Sequence, residues 1–310
     1  MDTKTFLLLL SDIPGIGPKT IASILRRNAV MRRSPEQFFC MTPEQLIREF
    51  GMRQDAANCL SSTWPERFEK ADELAKFLRR NSVTLITVSE ALYPIKLQQR
   101  LDEPPPVLYA YGNSALLTLP LFAVANSNNA SEGALASADA AAALALDCGW
   151  SPVTGHNRFA YQRPALAARR TGGRVCYVLD RGLLSAFGND LTKQLFPAAR
   201  IWSLTYDPNR DLTLSSFPLQ DHEIGDSNRR RDELIFALAD VIFVGTARPK
   251  GRMESVCRSA LARKQNVLLI GPPSPDDQRL LDVGAKRVDD PSALASELHR
   301  ISSKAEEDTD

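Results

Sequence analysis

The chain has 310 residues, of which 44% are hydrophobic and 24% are charged, with 38 lysines and arginines against 37 acidic residues. The apolar fraction is enough for a buried core and excludes a wholly disordered chain, and the length suggests two domains or one large domain with an appendage. The net charge of +1 excludes histone-like binding of nucleic acid by global charge, so any such contact requires a local basic patch.

Residues 1–80 are predicted to form a small all-helical module, because short helical patterns alternate with turn signals and no convincing strand interrupts them. Thr42 followed by Pro43 is typical of a helix N-cap and the first helical position. The helical patterns are Phe6–Leu10, Ile21–Arg27, Pro43–Phe50, Gln54–Ser61 and Pro65–Arg80.

Residues 81–118 are predicted to form an extended connector that contains strands. Ser82–Val88 is rich in β-branched residues and predicts the first strand. The three prolines at 104–106 stiffen the chain, because each fixes its own φ angle and biases the residue before it. Val107–Asn113 then predicts a strand that ends in a turn.

Residues 119–301 alternate short apolar strands with helices, which predicts a mostly parallel sheet with helices on both faces, an α/β Rossmann-like fold. The predicted strands are Leu121–Ala125, Ser151–Thr154, Val175–Leu179, Arg200–Leu204, Val241–Val244 and Val267–Ile270. The predicted helices are Ser131–Cys148, Arg163–Thr171, Arg230–Ala239 and Met253–Arg263. Residues 302–310 are polar and acidic, which predicts a disordered tail.

The five cysteines are scattered and contain no Cys-x-x-Cys pair, which argues against a disulfide framework or a zinc knuckle and favours a reducing cytosol. The apolar run Phe6–Leu10 is too short for a signal-peptide core or a membrane span. We therefore expect a soluble cytoplasmic protein with no membrane partner, no metal and no cofactor.

The segment 12–20 looks like the hairpin of a helix–hairpin–helix motif. Gly15 and Gly17 would allow the tight turn, and backbone N–H groups at the start of the next helix would face a DNA phosphate, with Lys19 adding a charge. Such a contact grips the DNA backbone without reading sequence. The alternative is that the two glycines only make a helix–helix turn, around which Ile13 and Ile16 pack.

A series of motifs resembles the DNA-processing protein A (DprA/Smf) family over about residues 5–290. The motifs are Leu92-Tyr93-Pro94 with Leu97, Pro104–Tyr109, Tyr111-Gly112-Asn113, Leu234–Asp240, Lys250-Gly251 and Gly284-Ala285. The resemblance implies an extended Rossmann-like domain that binds single-stranded DNA without catalysis. It also implies a homodimer that loads a RecA-type recombinase during natural transformation.

Four turns depart from the pattern of that family. Asn126-Ser127-Asn128 stands where the family has Gly-Ser-Arg, and the Thr154–Tyr161 turn keeps only its hydroxyl and Gly155. The family's Arg-Asn pair falls on Arg231-Asp232, and its Lys-Gly-Gly-Thr turn falls on Lys250–Met253. All four turns are expected at the carboxyl edge of the sheet, where open α/β sheets bind ligands.

A basic patch at that edge is the candidate DNA site. The residues assigned to it are Arg229, Arg230, Arg231, Lys250, Arg252, Ser127, Asn128 and Gly155, with Phe159 and Tyr161 as rings on which bases could stack. Cations at a helix N-terminus are unfavourable unless an anion binds there, which favours an anionic ligand. The alternative is a solvated arginine run paired with Asp226, Asp232 and Glu233.

No catalytic constellation emerges from the three histidines, His156, His222 and His299, because spacing alone assembles no Ser/His/Asp triad. We therefore expect a non-catalytic DNA-binding protein. One alternative is a repurposed nucleotide-sensing or scaffold subunit, for example in phage defence. A third possibility is a nucleotide hydrolase related to phosphoribohydrolases, although Pro249–Glu254 lacks the second glycine and the threonine of their turn.

Overall fold

The computed structural model describes residues 1–189, 191, 206–222 and 225–307. Within these residues, nine strands form one sheet. The strands are β1 (Val83–Thr87), β2 (Val107–Gly112), β3 (Leu121–Asn126), β4 (Ser151–Thr154), β5 (Cys176–Val178), β6 (Leu212–Ser215), β7 (Val241–Thr246), β8 (Asn266–Leu269) and β9 (Lys286–Arg287).

The strand order is β1-β2-β6-β5-β4-β3-β7-β8-β9. The pairs β1/β2 and β2/β6 are antiparallel, and every other pair is parallel. The central strands are buried on both faces, as a parallel sheet covered by helices requires. The Rossmann-like fold class predicted from the sequence is confirmed.

Strands β1 and β2 come from the segment predicted as a connector, and they extend the same sheet. Strand β2 connects this segment to the rest of the sheet by pairing with β6, with Tyr109 opposite Ser215. The sequence analysis did not predict β6, Leu212–Ser215. The strand predicted at residues 200–204 lies outside the described residues.

Five helices form the N-terminal module: α1 (Thr3–Ser11), α2 (Pro18–Val30), α3 (Pro35–Phe39), α4 (Pro43–Phe50) and α5 (Gln54–Arg80). Ser34 and Thr42 each form a capping box, which satisfies backbone N–H groups that a helix start leaves free.

The two helices predicted on either side of Pro65 are one continuous helix, α5. Proline removes a backbone donor and crowds the preceding turn, which led us to expect a break. In that turn the hydroxyls of Ser62 and Thr63 donate to the carbonyl oxygens of Asn58 and Cys59, at 2.8 and 2.6 Å. These bonds do not replace the donor that Pro65 lacks, because the carbonyl oxygen four residues before Pro65 belongs to Ser61; α5 nevertheless continues through the proline.

The remaining helices are α6 (Ile95–Arg100), α7 (Glu132–Asp147), α8 (Phe159–Arg170), α9 (Leu183–Phe187), α10 (Ser227–Leu238), α11 (Arg252–Ala262), α12 (Gln278–Leu281) and α13 (Pro291–Glu307). Short 3-10 turns occur at Ser114–Thr118 and Pro275–Asp277. Helix α13 extends through residues 302–307, which the sequence had suggested were part of a disordered tail. No helix in the described ranges is long and apolar enough to cross a bilayer.

The helical module and the sheet share one hydrophobic core. A single cluster of buried side chains joins Leu9 and Phe38 of the module to Tyr177 of β5 and Phe187 of α9. Helix α1 packs directly on β1 and β2. The N-terminal module is therefore held against the sheet by continuous apolar packing.

We expect Leu9→Ala to lower the free energy of unfolding of the whole chain by about 2–5 kcal/mol, because Leu9 is fully buried and alanine leaves a cavity. Urea unfolding followed by far-UV circular dichroism and by tryptophan fluorescence measures this loss. Unfolding transitions that differ in midpoint between circular dichroism and fluorescence would contradict the shared core.

Candidate functional site

The carboxyl ends of the neighbouring strands β5, β4, β3 and β7 meet at one edge of the sheet. The loops that follow them carry Asp180, His156, Ser127 and Lys250, in that strand order. Helix α10 begins at the same edge, because Arg231 in its first turns reaches Asp180 after β5. The four altered turns are thus brought together as expected for an open α/β sheet.

Arg231 lies inside this edge and has no exposed side-chain surface. Its guanidinium is 3.1 Å from the carboxylate of Asp180 and 2.8 Å from that of Asp232. It also donates to the side-chain oxygen of Asn157 at 2.7 Å and lies 4.8 Å from the centre of the Tyr161 ring. A buried cation needs such compensation, and here two carboxylates and a ring supply it. Arg231 is therefore unavailable to a phosphate, contrary to its assignment to an exposed patch.

Tyr161 is part of the same buried cluster. Its hydroxyl donates to Asp232 at 2.7 Å, and its backbone carbonyl accepts from the hydroxyl of Thr154 at 2.7 Å. A Cβ atom at Gly155 would stand 2.8 Å from the Tyr161 ring, so this position needs glycine for packing. Tyr161 is consequently not a surface on which bases can stack, which corrects the sequence-based expectation.

Two further arginines of the predicted patch are paired. Arg229 forms ion pairs with Asp226 and Glu233, and this pairing lowers the pKa of the Asp226 carboxyl. Arg252 lies 2.8 Å from Asp232 and also donates to the carbonyl oxygen of Arg229 at 2.7 Å. For these residues the alternative of an internally paired arginine run describes the structure.

Four exposed cations at this edge have no ion pair within the described part of the chain. Arg230 and Lys250 belong to the patch predicted from the sequence. That prediction did not include Arg158, the N-cap residue of α8, or Arg248, in the loop after β7. In the sequence, these two arginines are marked only by their positions after β4 and β7. Those positions point to the same sheet edge only once the strand order is known.

The remaining residues predicted for the patch lie in the loops at the same edge, where some are exposed and others form hydrogen bonds that fix the loops. The hydroxyl of Ser127 accepts from the backbone N–H of Arg248 at 2.8 Å, and Asn128 is exposed. Lys250 has a φ of 56°, and its backbone N–H donates to the carboxylate of Glu254, which lowers the pKa of that carboxyl. Phe159 is 60% exposed, with the Arg163 guanidinium 5.4 Å from its ring centre.

His156 is buried behind this surface. Its Nε2 lies 3.9 Å from Asp180, and its Nδ1 has no hydrogen-bond partner among the described residues. The pKa of His156 is lowered to about 4, chiefly by burial and also by the neighbouring Arg181 and Arg231, against the opposing effect of Asp180. The imidazole is therefore neutral near pH 7. No group of three or more His, Cys, Asp or Glu side chains in the described ranges is placed to hold a metal.

The N-terminal hairpin lies between α1 and α2. Gly15 has a φ of +86°, which favours glycine, and Gly17 is the N-cap of α2. Lys19 pairs with Glu103 at 2.7 Å, and this contact raises the pKa of Lys19, yet its side chain stays 76% exposed. The hairpin thus has the geometry of a tight turn before a helix, and Lys19 faces solvent.

A family model for DNA recombination-mediator protein A matches residues 84–299. The chain belongs to this family. The family match confirms the resemblance inferred from the motifs. No curated protein sequence matches the chain.

Two solved structures of DNA processing protein A are similar in fold to this family member. The protein from Streptococcus pneumoniae matches with a TM-score of 0.72 and 20% identity, over 96% of this chain and 99% of its own. The protein from Helicobacter pylori, whose structure concerns a single-stranded DNA binding mode, matches with a TM-score of 0.56 and 18% identity. That match covers 71% of this chain and 98% of the Helicobacter pylori chain.

Replacing the buried Arg231 is expected to destabilise the folded protein. Arg231→Met leaves Asp180 and Asp232 with too few partners, and we expect it to lower the free energy of unfolding by about 3–5 kcal/mol. The neighbouring exposed residue gives a matched control, since Arg230→Met should change stability by no more than about 0.5 kcal/mol. Urea unfolding measures both, and equal stabilities of the two variants would contradict the buried network.

The low pKa of His156 makes stability depend on pH. In the unfolded chain the imidazole takes up a proton near pH 6.5, whereas in the folded protein it does so only near pH 4. The unfolded state therefore binds more protons between these values, and acidification from pH 6.5 to 4 lowers the free energy of unfolding by about 3 kcal/mol through this residue.

We expect His156→Gln to lose this pH dependence, measured as the change in unfolding free energy between pH 7 and pH 4.5. His299→Gln is the control, because His299 is exposed on α13 and its loss should leave the wild-type slope. A His156→Gln variant with the full wild-type slope would assign the effect to other groups.

Proposed function

We propose that this protein binds single-stranded DNA at the carboxyl edge of its sheet and catalyses no reaction. The supporting observation is a group of four exposed cations at this edge that form no ion pair with any residue the structure describes: Arg158, Arg230, Arg248 and Lys250. Arg230 lies in the first turn of α10, and the other three lie in the loops after β4 and β7; the same edge carries Asn128 and Phe159, an exposed amide and an exposed ring.

This arrangement suits a single strand better than a duplex. Cations spaced along an edge can follow a phosphate backbone, and an exposed ring offers a face to an unpaired base. The bases of a duplex are stacked on each other and leave no face for Phe159. Membership in the DNA recombination-mediator protein A family and the single-stranded DNA binding mode of the Helicobacter pylori protein support the same proposal.

The finer parts of the proposal rest on the family. They are a homodimer, the loading of a RecA-type recombinase onto the bound strand, and a second, duplex-backbone contact at Gly15, Gly17 and Lys19. The exposed side chain of Lys19 and the start of α2 at the hairpin support the last of these.

A second candidate function follows from the buried network. Arg231, Asp180, Asp232 and Tyr161 neutralise and fill the interior of this edge, which suits a scaffold or a nucleotide-sensing subunit that has lost the strand-binding role. The DNA titration below separates this function from the first.

We expect Arg158→Ala to weaken binding to single-stranded oligonucleotides of any sequence, and to reduce the slope of log K against log salt by about 0.7. Phe159→Ala should cost about 1–3 kcal/mol of binding with little change in that slope, because stacking is uncharged. Fluorescence anisotropy with labelled single strands and duplexes at several salt concentrations measures both effects.

Arg170→Ala is the matched control, because Arg170 is an exposed arginine at the opposite end of the same helix, α8. It should bind like the wild type. Equal losses at Arg158 and Arg170 would mean diffuse attraction without a site. No binding by the wild type at low salt would overturn the DNA function and favour the second candidate.

A further inference from the structure

The C-terminal end of α2 presents an apolar pair surrounded by arginines. Val30 is 75% exposed and Met31 is 62% exposed, the highest values for large hydrophobic side chains in the described residues. Arg26, Arg27 and Arg32 flank them and are exposed. We call these five residues the α2 patch.

The α2 patch is held by an ordered turn. Met31 donates its backbone N–H to Arg27 at 2.9 Å, and the backbone N–H of Arg33 bonds to the carbonyl oxygen of Asn28 at 2.8 Å. The Arg33 side chain then folds inward to the side chains of Asn28 and Glu49. With its ends tied in this way, the turn keeps Val30 and Met31 facing solvent.

The charges of the α2 patch are uncompensated. Arg33 is paired with Glu49, whereas Arg26, Arg27 and Arg32 form no ion pair or side-chain hydrogen bond with any described residue. The whole chain carries a net charge of only +1, so three free cations within seven positions are a strong local concentration. Exposed apolar side chains rimmed by charge are typical of a contact surface for another molecule.

We propose that the α2 patch docks a protein segment that carries apolar side chains flanked by carboxylates, such as an acidic amphipathic helix. Val30 and the adaptable side chain of Met31 would bury the apolar face, and the arginines would pair with the carboxylates. The contact is small, so it fits a transient partner with an affinity on the order of micromolar.

Other anionic surfaces fit the α2 patch less well. A phosphate backbone would use the arginines but would leave Val30 and Met31 against charged oxygens, and the α2 patch contains no aromatic ring for a base. An anionic membrane would require a larger apolar face than two side chains. The α2 patch is also about 20 Å from the hairpin that starts the 13-residue helix α2.

The test uses the full-length chain and a fluorescein-labelled 16-residue peptide in which glutamates and leucines alternate at helical spacing, with a scrambled peptide of the same composition. We expect the helical peptide to bind at micromolar concentrations and more tightly than the scrambled one. The double variant Val30→Gln with Met31→Gln should weaken binding at least tenfold. Arg26→Gln with Arg27→Gln should also weaken it about tenfold and reduce its salt dependence.

Ile95→Gln is the control, because Ile95 is a 60% exposed hydrophobic residue outside the α2 patch and its loss should leave peptide binding unchanged. Equal binding of both peptides, or no effect of the double variants, would overturn the proposal. Loss of binding to a 20-base-pair duplex or to phosphatidylglycerol vesicles in the Val30/Met31 variant would overturn it in favour of nucleic acid or membrane. All variants alter exposed positions, so we expect unchanged melting temperatures. That measurement shows that a loss of binding is not caused by unfolding.

Discussion

The buried ion network around Arg231 is the constraint on which the functional edge depends. One guanidinium joins Asp180, which follows β5, to Asp232 in α10 and to Asn157 in the loop after β4. Since a fully buried charge is tolerated only with near-complete pairing, these groups must keep their relative positions. The network therefore sets where α10 begins and how the loops after β4 and β5 leave the sheet.

This constraint also decides which cations can meet a ligand. Asp232 pairs with Arg252 as well as Arg231, and Asp226 and Glu233 engage Arg229, so the arginine-rich start of α10 is largely neutralised. The exposed cations that form no ion pair with a described residue are Arg230 in α10 and, in the neighbouring loops, Arg158, Arg248 and Lys250. Arg231, Tyr161 and His156 are buried beneath this surface.

Continuous apolar packing links this edge to the helical module. The cluster that contains Leu9 and Phe38 extends to Tyr177 of β5, the strand that ends at Asp180. A partner bound on the module would consequently contact a body that is packed against the sheet. Helix α2 carries the hairpin with Lys19 at one end and the α2 patch at the other, about 20 Å apart.

The amino-acid sequence by itself determined the features that depend on local patterns. Helical periodicity and capping residues predicted the N-terminal helices, and alternating apolar runs such as Val241–Val244 predicted the parallel strands and the Rossmann-like fold. Motif order was enough to predict the family. Short-range signals failed at Pro65, where α5 continues through the proline, and at β6, which no signal had predicted.

Only the tertiary structure decided the state of each charged residue. Arg229, Arg230 and Arg231 are adjacent in sequence, yet the first is paired at the surface, the second is exposed with no ion pair to any described residue, and the third is fully buried. The difference comes from Asp180 and Asn157, which are distant in sequence and reach Arg231 only when β4, β5 and α10 are assembled. Pairing and burial are properties of neighbours in space, so a linear pattern could predict which turns meet at the sheet edge but not which of their charged side chains are exposed.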